Sequence, residues 1–334
     1  MMAKQTKRYW VGFDLGGTKM LAAVFDDEFR ILIRKRRKTR AQEGAKGGLR
    51  RMIGLIEAAL EDAGVAASDL AGIGVGCPGP LDLDKGIVLE MPNLGWKKTR
   101  VRAELEAALR CPAFILNDVD AGIYGEHCFG AARGARCVVG VFPGTGIGGG
   151  AVYKGEIVRG TTGSCMEIGH IPVMSNGPHC GCGRRGCLEA VSGRLAISAA
   201  AAAAAYRGEA PHLLAMAGTD LSNIRSRALS ESIAAGDATI EQIVRDAART
   251  IGWTMAGVVN LLAPDIVLLG GGMVEDMPDL FREEVDGAIR DRVMPSYQSS
   301  FRTEIAQLEG NATVTGAAAW AKQATCIPPG GSRG

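Results

Sequence analysis

The chain lacks a long apolar run. No stretch of its 334 residues approaches 18 uninterrupted apolar positions, about the length a membrane-spanning helix needs. Its opening, "MMAKQTKRYWVGFDLGG", has no apolar core of the kind a signal peptide requires. It also lacks a dominant charge: 38 Lys and Arg against 36 Asp and Glu leave a formal +2. No field from the whole molecule therefore favours nucleic acid or an anionic membrane. These absences predict a soluble, cytoplasmic protein with neither nucleic acid nor membrane as a partner. The one basic run, "RKRRKTR" at 34–40, directly follows the apolar "ILI" and reads as the solvated end of a strand.

Hydrophobic residues make up 47% and charged residues 22%, an ordinary globular balance that can fill a core. The length suits about two domains. Of nine cysteines, six (Cys77, Cys111, Cys128, Cys137, Cys165 and Cys326) are scattered and read as small buried apolar residues. The other three, Cys180, Cys182 and Cys187, crowd into "HCGCGRRGC" at 179–187. A reducing compartment disfavours a structural disulfide, and C-x-C is not the C-x-x-C of a thioredoxin-like redox centre. Three thiolates and one imidazole, from His170 or from His179, suit a closed tetrahedral zinc site. An unligated thiol cluster and a redox role stay open on spacing alone.

Hydrophobic periodicity predicts a strand meander over 9–37, a helix over about 46–63, and a strand entering a Pro/Gly loop over 71–82. A helix is expected over 99–111 and a strand over 112–118, ending in Asn117 and Asp118. If that strand persists, Asp120 points to the side opposite Asp118. A second β-rich start, "CVVGVFPGTGIGGGAVYKG" at 137–155, repeats the first with an offset of 128: strand, glycine turn, strand. An alanine-rich helix follows "LEAVSG". A long helix then presents Ile240, Ile243, Val244, Ala247, Ile251, Met255, Val258, Val259 and Leu262 on one face until Pro264. "DIVLL" reads as a buried strand opening into Gly270–Gly272, and 326–334 as a disordered tail.

Glycine turns let backbone N–H groups approach phosphate without a Cβ in the way. Three such places occur: Gly16, Gly17 and Thr18; Gly144, Thr145 and Gly146; and Gly270, Gly271 and Gly272. "GFDLGGTK" misses the P-loop order and is followed by a strand. Gly144, Gly146 and Gly149 spell G-x-G-x-x-G, but a strand pattern again stands where a dinucleotide site needs a helix. Two β-hairpin phosphate loops remain, with Thr18 and Thr145 offering hydroxyls. Asp14 is placed to hold a magnesium ion through water.

"DLGGTK", "NDVDA", "GTGIGGG", "EIGH" and "CGCGRRGCLE", in that order, resemble the ROK family of bacterial sugar kinases and sugar-responsive repressors, over about residues 9–322. The resemblance implies an α/β, two-lobed, actin-like ATPase fold (ribonuclease-H-like) with an interlobe cleft. One lobe would comprise residues 1–118 plus a C-terminal helix at about 312–325, the other 119–311 with a zinc knuckle over 170–187. It implies ATP-dependent phosphorylation of a hexose, with glucose foremost and fructose, mannose or an N-acetylated amino sugar as alternatives. Asp118 would be the general base, and Asn93, Asn117, Asp118, Glu167, His170 and Glu189 would contact sugar. Asp14, Gly16, Gly17, Thr18, Lys19, Gly144, Thr145, Gly146, Gly271 and Gly272 would contact Mg·ATP. His170, Cys180, Cys182 and Cys187 would hold a structural zinc, and the protein would be a homodimer. Met166 stands where glucokinases of the family usually carry glycine, a departure that bears on the sugar pocket. Only 13 residues precede Asp14, too few for the DNA-binding segment of the family's repressors.

Overall fold

The computed structural model describes residues 8–161, 163 and 165–326, so 327–334 of the expected tail lie outside the described residues. The chain divides into two compact units, Met1–Arg133 with Ile157–Cys165 and Gly310–Gly334, and Gly134–Glu156 with Met166–Glu309.

The first unit opens with an antiparallel meander, β1 (Tyr9–Leu15), β2 (Lys19–Phe25) and β3 (Ile31–Lys38). There follow α1 (Gly44–Asp62), β4 (Leu70–Cys77), a small sheet of β5 (Leu81–Asp82), β6 (Ile87–Met91) and β7 (Trp96–Thr99), then α2 (Val101–Leu109), β8 (Ala113–Asn117) and α3 (Asp118–Phe129). The large sheet has the order β3-β2-β1-β4-β8, with β4 parallel to β1 and β8 parallel to β4. Strands covered on both faces read as nearly continuous apolar runs. Met20, Ala22 and Val24 of β2 join a core with Met52, Leu55 and Ile56 of α1. The alternate residues Leu21, Ala23 and Phe25 pack on the opposite face.

The second unit repeats this plan. Its sheet has β9 (Cys137–Pro143), β10 (Ile147–Tyr153), β11 (Glu156–Ile157, where the division between units falls), β12 (Ile266–Leu269) and β13 (Arg302–Ile305), in the order β11-β10-β9-β12-β13. Its helices are α4 (Leu188–Ser192), α5 (Arg194–Tyr206), α6 (Pro211–Ala217), α7 (Ser226–Ala234), α8 (Ala238–Leu262), α9 (Gly272–Asp276) and α10 (Pro278–Arg290). Adding 128 to the bounds of β1 and β2 (9–15 and 19–25) gives those of β9 and β10 (137–143 and 147–153). The pairing is one residue tighter in the second hairpin, where Pro143 meets Ile147 while Leu15 meets Met20. Here too β12 runs parallel to both β9 and β13.

The last helix, α11 (Ala312–Thr325), returns to the first unit. Val314, Ala318 and Ala321 fill the face of the meander opposite α1. The approach is close enough to require glycine. A Cβ on Gly12 would lie 1.8 Å from the Val314 carbonyl oxygen, and one on Gly74 would lie 1.8 Å from that of Ala317.

Several sequence expectations need correction. The first unit does not stop at residue 118, because α3 packs on α11 and stays with it. Asp118 is the first residue of a helix instead of the last of a strand. Asp120 therefore lies on the same helix as Asp118, and it is buried. Leu262 is exposed at the fraying end of α8, where Ala263 turns left-handed. Of the six scattered cysteines, Cys77, Cys111 and Cys137 are buried, Cys128 and Cys165 partly so, and Cys326 is exposed. Among the described residues one stretch, Leu188–Tyr206, has the length and hydropathy of a membrane span. It is split into α4 and α5 by the extended Gly193 (φ −70°, ψ 160°).

The glycine contacts give a paired test. Gly12→Ala should cost about 3 kcal/mol or more, since the collision is with backbone that cannot swing away. Gly257→Ala, on the open face of α8 with nothing within 4 Å, should instead stabilise by about 0.5–1 kcal/mol through helix propensity. Urea midpoints of the two variants check both signs.

Candidate active site

Parallel strands release their chain at the same sheet edge, which is where open α/β sheets bind ligands. In the first unit that edge carries Asp14 on β1, Cys77 on β4, and Asn117 with Asp118 after β8. Asp14 pairs with Gly76 across the sheet, and a Cβ on Gly76 would come within 3.5 Å of the Asp118 Cα. Burial, and then the negative charge of Asp118, push the Asp14 carboxyl up to about 6, with Arg36 pulling the other way. Beneath them, burial and the same two carboxylates hold the Cys77 thiol far above its ordinary range. Asn117 caps α3: its Oδ1 accepts the N–H of Val119 at 2.8 Å and of Asp120 at 3.2 Å. One Asp118 oxygen accepts the Val119 N–H at 3.0 Å.

The turn Gly16–Gly17–Thr18 is solvent-facing and pinned from outside by the buried Thr39. Its hydroxyl donates to the Gly16 carbonyl at 2.7 Å, and its N–H donates to the Thr18 carbonyl at 2.9 Å. Lys19 leaves this turn exposed. A Cβ on Gly17 would be 3.9 Å from the Asn93 Cβ, so the asparagine expected at sugar neighbours this turn.

In the second unit the end of β9, just before Gly144–Gly146, meets the third glycine stretch: a Cβ on Gly271 would lie 2.9 Å from the Pro143 carbonyl oxygen. Gly272 starts α9. The turn is held by the segment after the cysteine cluster. Arg194 donates its N–H to the Gly144 carbonyl at 3.0 Å and a guanidinium N–H to the Thr145 hydroxyl at 2.9 Å. Glu189 accepts the Ile147 N–H at 3.0 Å, its carboxylate filling the space that a side chain at 146 would need. Thr39 and Arg194 escaped sequence reading. The only available sign of Arg194 was a cation directly after the helix-breaking Gly193, and Thr39 left none.

His170, Cys180, Cys182 and Cys187 converge, their ligand atoms all within 4.8 Å of one another. The Cys182 and Cys187 sulfurs are 3.7 Å apart, and the Cys180 sulfur is 3.5 Å from His170 Nδ1. A tetrahedron with metal–sulfur bonds of about 2.3 Å has edges of about 3.8 Å, so the donor set fits zinc. The rival His179 is turned to Arg185, its Nε2 2.6 Å from the guanidinium. The Arg184 N–H lowers the pKa of Cys182, whereas desolvation and then the neighbouring thiols push Cys187 up to about 11. Cys180 also reaches Glu189, with 3.8 Å between sulfur and Oε1. Cys187 precedes α4 directly, so the knuckle leads straight into the segment that holds the glycine turn. Glu167 opens the short turn Ile168–His170, accepting the His170 N–H at 2.9 Å. Met166 sits at φ +56°, left-handed backbone that favours glycine. The departure noted from sequence is thus a methionine occupying a glycine-type conformation.

The profile of the ROK family matches residues 10–324. The chain belongs to the ROK family. A glucokinase of Thermotoga maritima is 32% identical over 94% of this chain and 97% of its own. The crystal structure of a ROK family glucokinase from Streptomyces griseus, in complex with glucose and AMPPNP, superposes with a TM-score of 0.81. It is 30% identical and covers 94% of this chain and 99% of its own. The xylose repressor of Caldicellulosiruptor bescii is 24% identical over 92% of this chain and 76% of its own. The fold is that of the ROK sugar kinases, the actin-like ATPase architecture.

The raised pKa of Asp14 predicts a pH signature in nucleotide-free protein. The folded state holds this proton up to about pH 6 and the unfolded state only to about 3.8. Wild type therefore loses stability as pH rises through that window, by about 3 kcal/mol in all. Asp14→Asn escapes the loss, so its stability relative to wild type should improve by that order between pH 3.5 and pH 8. Denaturant titrations at both pH values measure the difference.

Proposed function

We propose that this ROK protein is an ATP-dependent hexose kinase that converts glucose to glucose 6-phosphate, with Asp118 as general base. The observation that carries the reading is the acid pair Asp14 and Asp118 at the carboxyl edge of parallel strands, close enough for one charge to raise the pKa of the other. Phosphoryl transfer asks a protein mainly for positioning, charge neutralisation and a base. Asp118 accepts the proton of the sugar hydroxyl as its oxygen forms a bond to the γ-phosphorus. The bond from that phosphorus to the bridging oxygen breaks and ADP leaves. Asp14 is placed to hold a magnesium ion, which would neutralise phosphate charge when bound with ATP.

Asn117 spends its Oδ1 on the helix cap, which leaves its amide hydrogens for a sugar hydroxyl. Asn93 is a further candidate sugar contact of the first unit, and Glu167, His170 and Glu189 are the candidates of the second. Gly16, Gly17, Thr18 and Lys19 are the first unit's candidate phosphate contacts, and Gly144, Thr145, Gly146, Gly271 and Gly272 are the second unit's. Zinc in the knuckle is structural: four protein ligands leave no position for water or substrate. It keeps "EIGH" and "CLE" in register, so that Glu167 and Glu189 serve one ligand. The working form is a cytoplasmic homodimer.

The glucokinase relative and the glucose- and AMPPNP-bound neighbour support this reading. The repressor relative favours a second one, a sugar-binding regulator; the retained pair Asp14 and Asp118 speaks for the enzyme. A coupled assay over glucose, fructose, mannose and N-acetylated amino sugars separates the two. Asp118→Asn should lower kcat by about 10²–10⁴ while sugar Kd by calorimetry stays near wild type. Near-normal turnover would end the base assignment. Dialysis against a chelator should remove about one zinc per chain, and Tm and sugar affinity should fall together. Full sugar affinity in metal-free protein would refute the structural role.

A further inference from the structure

We propose that Arg194, with Arg225 beside it, is a phosphate-binding residue of the second glycine turn and receives the oligophosphate chain of the donor. The inference rests on the reading of Gly144–Gly146 as a nucleotide loop and assigns that loop its cation. Arg194 is fixed at both ends: its backbone N–H donates to the Gly144 carbonyl at 3.0 Å, and its guanidinium donates to the Thr145 hydroxyl at 2.9 Å. A hydroxyl that accepts from arginine still has its own proton to give. Thr145 is exposed, so that proton and the remaining guanidinium N–H groups are available to one anion.

The surroundings concentrate positive charge there. The Arg194 pKa is lowered first by burial and then by the charge of Arg225, so two like charges are held close. Among the described residues their side-chain hydrogen bonds go to the Thr145 hydroxyl and the Ser222 carbonyl, not to carboxylates. Arg225 immediately precedes Ser226, the first residue of α7, and a Cβ on Gly272 would lie 3.9 Å from the Ser226 hydroxyl. Gly271 in turn lies against Pro143 at the entry to the turn. Two glycine segments and two arginines thus bound one region, a charge excess that a phosphate chain neutralises. Guanidinium suits it because its planar fork matches phosphate oxygens.

Calorimetric titration of full-length protein with Mg·AMPPNP, inorganic tripolyphosphate and adenosine tests the assignment. In Arg194→Ala the Kd for Mg·AMPPNP and for tripolyphosphate should rise at least tenfold, while adenosine and glucose affinities stay within twofold. Arg194→Lys should recover part of the loss, and Arg225→Ala, which leaves the turn's hydrogen bonds in place, should show a smaller weakening of the same pattern. Unchanged Mg·AMPPNP affinity in folded Arg194→Ala, with wild type binding normally, would overturn the role of Arg194 alone. Equal weakening for adenosine would also overturn it, since that marks a collapsed turn and not a lost phosphate contact. Failure of wild type to bind Mg·AMPPNP would instead overturn the nucleotide reading of the loop itself.

Discussion

Parallel pairing is the constraint on which the arrangement of functional groups depends. β1, β4 and β8 run the same way, as do β9, β12 and β13. Each trio therefore releases its chain at one sheet edge. Asp14, Asn117 and Asp118 collect at the first edge, and the turn after Pro143 meets the glycines after Leu269 at the second. Antiparallel pairing of the same strands would scatter these residues to opposite ends. The chemistry proposed for the protein is thus a consequence of strand direction before it is a consequence of any one side chain.

Strand direction brings the glycine turns to the right place without making them rigid. Residues outside the turns do so: Thr39 by two hydrogen bonds to the first turn, Arg194 and Glu189 by three to the second. The second set follows directly from the Cys/His cluster through Cys187 and α4. Cys187 runs directly into α4, whose Glu189 accepts the Ile147 N–H, so the knuckle and the turn are joined through a short stretch of chain.

Much of this was legible in the chain. The strand–turn–strand device recurs at an offset of 128 because two sheets of one topology need the same apolar strands and the same glycine-bearing turns. The cysteine spacing restricted the knuckle to a few chemistries, and side-chain geometry then selected His170 because Arg185 occupies His179. Less legible was the start of α3. "ILND" alternates like a strand up to Asn117, and only the cap made by the Asn117 side chain shows that Asp118 already belongs to a helix. Helix capping is a local signal, but Asn117 had been assigned to sugar, and one residue type served both readings. Met166 had stood out as an unusual residue, and its left-handed backbone supplies the physical reason.

Sequence alone determined most of the elements, the doubled glycine hairpins and the clustering of Cys180, Cys182 and Cys187, because each is written in residues close together in the chain. Tertiary structure decided that α3 stays with the first unit against α11, that Thr39 and Arg194 brace the turns, and that the Asp118 charge raises the Asp14 pKa. Those facts depend on groups far apart in sequence, up to about 300 residues between Gly12 and Val314, whose meeting is fixed by sheet direction and backbone approach. No periodicity or spacing encodes such meetings.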